Sequence, residues 1–69
     1  MRIIALDFDE VNIGESFWFI NDQTGEEEHY IKIAPDVYKL HGFRNAHLFA
    51  DSDSAFWFEN TDCVTVKRV

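Results

Sequence analysis

Apolar and polar positions alternate with a period of two along almost the whole chain, which is the pattern of half-buried strands. Residues 16–21 (Ser-Phe-Trp-Phe-Ile-Asn) predict a strand, and Asp22, Gln23, Thr24 and Gly25 a loop in which glycine supplies positive φ. Residues 28–33 run back beside it and complete a hairpin. Ala34, Pro35 and Asp36 end that strand, since proline cannot donate to a ladder. Further strands are predicted at 37–41 (ended by Gly42), at 54–59 and at 63–69, with 46–50 either part of a strand or a short irregular stretch. Asp51, Ser52 and Asp53 read as a turn, as do Asn60, Thr61 and Asp62.

Regular short strands with polar turns between them predict a mainly β protein, either a small five-stranded antiparallel barrel or a compact sandwich. Closure into a barrel would remove the sheet edges that invite aggregation. The alternation sets Phe17 and Phe19 on one face against Trp18 and Ile20 on the other. It likewise sets Ile31 and Ile33 against Tyr30 and Lys32, and Val64 and Val66 against Thr65 and Lys67. Residues 55–58 are apolar on both faces, and one small interior cannot hold every ring. Some of Trp18, Ile20, Tyr38, Phe43 and Trp57 therefore lie outside or under a loop. The segment 3–8 is a strand or a lid over those rings.

Sixty-nine residues make a single domain, 1–69, with a thin stability margin. One cysteine, Cys63, rules out an internal disulfide, so stability must come from burying the seven Phe, two Trp and two Tyr. Cys63 itself reads as a small buried apolar side chain. The stretch of apolar residues near the start is too short for a signal peptide or a membrane span, and the expected location is cytoplasmic. The net charge of −7 is unevenly placed. Residues 1–28 hold Asp7, Asp9, Glu10, Glu15, Asp22, Glu26, Glu27 and Glu28 against Arg2 alone, while acids and bases balance over 29–69. That balance argues against direct binding to nucleic acid, which requires Lys and Arg to displace counterions.

The segment 8–17 has a distinct cadence: Phe8, Asp9-Glu10, Val11, then Ile13-Gly14-Glu15-Ser16-Phe17, followed by Tyr30-x-Lys32 and a closing apolar strand. This resembles short β-barrel proteins encoded by bacteriophages and prophages, most of them without an assigned function. The resemblance covers residues 8–69, and the chain departs from it in a longer first hairpin and an added segment at 1–7. It implies a barrel of the Src-homology-3 type, a mobile-element origin and a location in the host cytoplasm. It implies no activity.

Candidate chemistry is sparse. Ile3-Ile4-Ala5-Leu6-Asp7-Phe8-Asp9 resembles the first motif of haloacid-dehalogenase-type phosphatases, in which Asp7 would be the nucleophile and Asp9 the acid/base. That machinery needs a parallel sheet and a chain more than twice this length, and Glu10 stands where phosphate must approach. Asp51-Ser52-Asp53 lacks the ligand and glycine of a calcium loop. His29, His41, His47 and Cys63 show no paired zinc-ligand spacing, and three glycines form no phosphate-cradling loop. The expectation is a non-enzymatic protein with no cofactor and no metal.

Two functional classes follow. In the first, the protein is an acidic inhibitor that binds a basic host protein or complex by imitating a row of phosphates, as anti-CRISPR and anti-restriction proteins do. Asp22, Glu26, Glu27 and Glu28 at the first hairpin, with Trp18 or Trp57 as apolar anchor, are then the partner-binding residues. In the second, surplus aromatic surface makes a structural or oligomerising module, for instance a homodimer. Neither class calls for membrane contact.

Overall fold

The structure, a computed structural model, describes residues 2–34 and 44–69. These residues build a mainly β fold of six strands: β1 (Arg2–Asp7), β2 (Ser16–Ile20), β3 (Glu27–Lys32), β4 (Ala46–Leu48), β5 (Asp51–Phe56) and β6 (Cys63–Arg68). A 3₁₀ turn, η1 (Phe8–Glu10), follows β1. All pairings are antiparallel, in the order β1-β6-β2-β3-β4-β5.

This differs from a closed five-stranded barrel. The segment at 3–8 supplies an edge strand rather than a lid, because Ile4 and Leu6 fall opposite Val66 and Val64 of β6 and continue one apolar face. Among the described residues no ladder joins β1 to β5, so the sheet curls without closing. The ends of its two edges meet through aromatic rings instead. Phe58, just beyond β5, stacks on Phe8, just beyond β1, with ring centroids 5.3 Å apart. It also meets the edges of Phe17, Phe19 and Tyr30. Phe8, Val11, Phe17, Tyr30, Ala46, Phe58, Val64 and Val66 are the buried core.

The hairpin at 16–33 has the expected form. Gly25, at φ +73°, donates to the Asn21 carbonyl, and Asn21 donates to Glu26, which turns the chain between β2 and β3. The turn expected at 51–53 lies two residues earlier. Leu48 faces Asp51 across the ladder, so Phe49 and Ala50 turn the chain and Asp51 already belongs to β5. Phe49 and Ala50 carry no turn chemistry of their own; the Phe49 N–H is held by the His29 carbonyl, at 2.9 Å. The strand expected at 54–59 leaves the ladder after Phe56 because the buried Asn45 side chain takes over. Its Nδ2 donates to the Phe58 carbonyl at 2.6 Å, and its Oδ1 accepts the Phe58 N–H at 2.8 Å. Asn45 thereby aims the Phe58 ring into the core. The strand expected at 37–41, with Tyr38, His41 and Phe43, lies outside the described residues.

Tyr30 and Lys32, not Ile31 and Ile33, face the core. Lys32 is 4% exposed, and its ammonium donates to the carbonyls of Phe8, at 2.9 Å, and Val11, at 2.8 Å. It also lies 4.4 Å from the centroid of the Phe8 ring. The backbone of Lys32 accepts from Gly14 and donates to Glu15, so one residue fixes both sides of the η1 loop. Gly14 makes this approach at φ +89°.

Lys32→Met is expected to lower unfolding free energy by about 2 kcal/mol, because buried carbonyls lose a charged donor. Urea titration checks this against Lys67→Met, which is expected to cost about 1 kcal/mol or less. Equal losses in the two variants would contradict the assignment.

Candidate functional site

The β2–β3 hairpin pairs Trp18 with His29, Phe19 with Glu28 and Ile20 with Glu27. This register divides the six residues expected to bind a partner. Glu28 points to the core side, where its carboxylate accepts the Tyr30 hydroxyl at 2.6 Å. Burial, aided by that carboxylate, raises the Tyr30 pKa well above its ordinary value. Glu28, Tyr30, Phe56 and Trp57 line an open hollow of about 350 Å³ on this side. Trp18 and Glu27 are on the outer face. β2 meets β6 only at the pair Trp18–Thr65, and beyond it the strands part. The resulting notch, of about 420 Å³, is lined by Trp18, Ile20, Asp22 and Cys63. The hairpin acids therefore do not form one row: Asp22 sits with Trp18, Glu27 is exposed on the same outer face, Glu28 sits with Trp57, and Glu26 is exposed just before β3.

The remaining early acids are divided further. Glu15 is bound in a two-pronged pair by Arg68, with Nε to Oε2 at 2.9 Å and Nη2 to Oε1 at 2.8 Å. The Arg68 guanidinium holds the Glu15 carboxyl below its ordinary pKa, with the Asn12 N–H assisting against a smaller effect of burial. Glu10 accepts the Asp7 N–H at 3.2 Å. Asp7, Asp9 and Glu10 bring carboxylate oxygens within 4.8 Å of one another, all exposed. Asp7 ends an antiparallel edge strand, whereas the phosphatase motif requires the end of a parallel one.

The outer face carries a feature that the sequence pattern did not single out. Trp18, His29 and Phe49 stack across β2, β3 and the β4–β5 turn, with centroids 4.0 Å and 4.3 Å apart and planes 5° and 12° from parallel. The Lys67 ammonium extends the column, 4.3 Å from the Trp18 ring. Lys67, Trp18 and His29 are neighbours only through the strand order β6-β2-β3. No local signal marked the column, since Trp18 shares its strand face with Ile20 and His29 shares its face with Ile31, and only Lys67 falls on a polar face, beside Thr65.

His29 is held below its ordinary pKa, first by burial and then by the Lys67 charge. Its Nε2 is buried without a hydrogen-bond partner among the described residues, so protonation would place a donor where no acceptor stands. His47 sets Nδ1 2.7 Å from the Leu48 carbonyl. Among the described residues, His29, His47 and Cys63 do not converge on one point. Cys63 is exposed, contrary to the expected burial, because it alternates with Val64 and faces out beside Asp7.

The depressed His29 pKa has a definite consequence. The unfolded imidazole, at about 6.5, binds a proton before the folded one does, so this contribution is complete above that pH and is lost as pH falls below it. Between pH 7 and 5 the wild type is expected to lose more stability than His29→Phe, which keeps the stack without titrating. The difference should not exceed about 1.4 kcal/mol per pH unit. Parallel urea-derived curves for the two proteins would contradict the assignment.

Comparison of this chain with family models, curated proteins and solved structures gives no match in any of the three.

Proposed function

We propose that this chain is a non-enzymatic protein-binding module whose hairpin tip docks on a basic protein surface. The observation that carries this reading is where the cations are engaged. Lys32 is buried against the Phe8 and Val11 carbonyls, Arg68 is paired with Glu15, and Lys67 lies over Trp18. Asp22, Glu26 and Glu27 are exposed, and among the described residues none makes an ion pair. Their field is therefore directed at solvent, beside a notch that offers Trp18 and the exposed Ile20 as apolar contacts. Outward carboxylates beside an apolar anchor suit a groove that otherwise holds nucleic acid. Within that reading the module acts as an inhibitor of a host nucleic-acid-binding complex, encoded by a mobile element. Glu28 and Trp57 are the less favoured half of the expected site, because they lie on the other side of the hairpin.

The test is affinity capture from host lysate with wild type, with Asp22→Lys/Glu26→Lys/Glu27→Lys, and with Asp53→Lys/Glu59→Lys as a control of the same sign. The expected result is a basic partner displaced by duplex DNA. Its binding should be weakened about tenfold or more by the hairpin variant and little by the control. Equal retention by all three proteins, or indifference to DNA, would overturn the reading.

A further inference from the structure

The sheet has two outer edges, and they are treated differently. β5 carries Asp51 and Asp53, its register with β4 shifts between His47 and Leu48, and the Asp51 carboxylate accepts the Asp53 N–H. Charges and irregular register are the devices that keep an edge from pairing. β1 has neither in its interior. Arg2–Asp7 runs in unbroken register with β6, without proline or bulge, and Ile3 is 72% exposed.

The phase of the ladder shows which groups the open edge offers. The Phe8 N–H bonds to the Asp62 carbonyl, so in antiparallel alternation Ile4 and Leu6 also turn their backbone groups toward β6. Ile3, Ala5 and Asp7 turn theirs outward. The Asp7 N–H agrees with this, since it is taken by the Glu10 carboxylate. Among the described residues, β1 pairs with no strand other than β6, which leaves the N–H and C=O groups of Ile3 and Ala5 at the edge.

The charges along β1 are also polar in their order. Arg2 lies at its start, opposite Arg68 and next to Lys67, while Asp7, Asp9 and Glu10 cluster at its end. A strand with a basic beginning and an acidic end is complementary to a second copy of itself laid antiparallel. We propose that β1 pairs with β1 of a second copy about a two-fold axis at Ile4, joining two six-stranded sheets into one. In that register Ile3 of each copy faces Ala5 of the other, so four backbone hydrogen bonds form and the Asp7 N–H stays with Glu10. A register centred on Ala5 would set Ile3 opposite Asp7 and require that N–H to leave Glu10. The Ile4-centred register also keeps like faces together, with Ile4 against Ile4 on the core side and Ile3 against Ala5 on the outer side. This pairing does not depend on the hairpin acids or on any host partner.

Sedimentation of the full chain at about 5 to 500 µM tests it. The expected result is a mass rising from 8.1 kDa toward the dimer. Ala5→Pro removes one outward N–H and none directed at β6, so it should leave far-UV circular dichroism intact and raise the dissociation constant about tenfold or more. Arg2→Glu should weaken association, and Arg2→Glu/Asp9→Arg should restore it. A wild type that stays monomeric throughout the range overturns the proposal. So does a dimer that survives Ala5→Pro and Arg2→Glu but is lost in Phe49→Ala, which would put the interface on the stacked outer face.

Discussion

The buried ammonium of Lys32 is the constraint on which the rest of the structure depends. A small sheet with one core face must cover that face with something, and here the cover includes Phe8, Val11 and the loop that joins β1 to β2. The η1 turn leaves the Phe8 and Val11 carbonyls directed inward, and Lys32 reaches across from β3 to satisfy both. The cost of burying a charge is offset by these charge-assisted bonds and by the Phe8 ring. With Phe8 so placed, Phe58 has a ring to stack on, and the two free ends of the sheet are drawn together without a ladder between them. Asn45 holds Phe58 from the opposite side.

The period-two pattern was enough to read the β class, the first hairpin and the final strand, because each depends on neighbours in sequence. The faces were harder. Ile31 and Ile33 are more apolar than Tyr30 and Lys32, yet the latter pair is buried: the Tyr30 hydroxyl reaches the nearby Glu28 carboxylate, and the Lys32 ammonium finds the Phe8 and Val11 carbonyls inside. No local pattern reveals an acceptor that lies more than twenty residues away. The Asp51-Ser52-Asp53 turn failed for a similar reason. Aspartate bonds nearby backbone readily in turns, but here Asp51 accepts the Asp53 N–H and the Ser54 hydroxyl on a strand whose turn, Phe49-Ala50, is fixed by a bond to β3. Cys63 shows the reverse error: a residue type that is usually buried was placed outside by its neighbour Val64.

The acidic front was legible as composition but not as geometry. Eight early acids stood against a single base in the sequence, whereas the fold uses Glu15 to bind Arg68, Glu10 to cap Asp7 and Glu28 to receive Tyr30. What remains is narrower, namely the hairpin tip and the end of β1. The cations make the same point from the other side, since among the described residues Lys32, Lys67 and Arg68 have structural partners. The stacked Trp18, His29 and Phe49 then show why the outer face, although rich in rings, is ordered rather than merely exposed.

Amide hydrogen exchange resolved by residue tests the central place of Lys32 most directly. The N–H groups of Phe8, Gly14 and Lys32 are bonded to Asp62, Lys32 and Glu15, and two of them lie outside any strand. If the clamp fixes the loop to the core, all three should exchange at rates close to those of core amides such as Tyr30 and Val66. Exchange as fast as that of Gln23 at the hairpin tip would show that the loop opens independently, and would contradict the account.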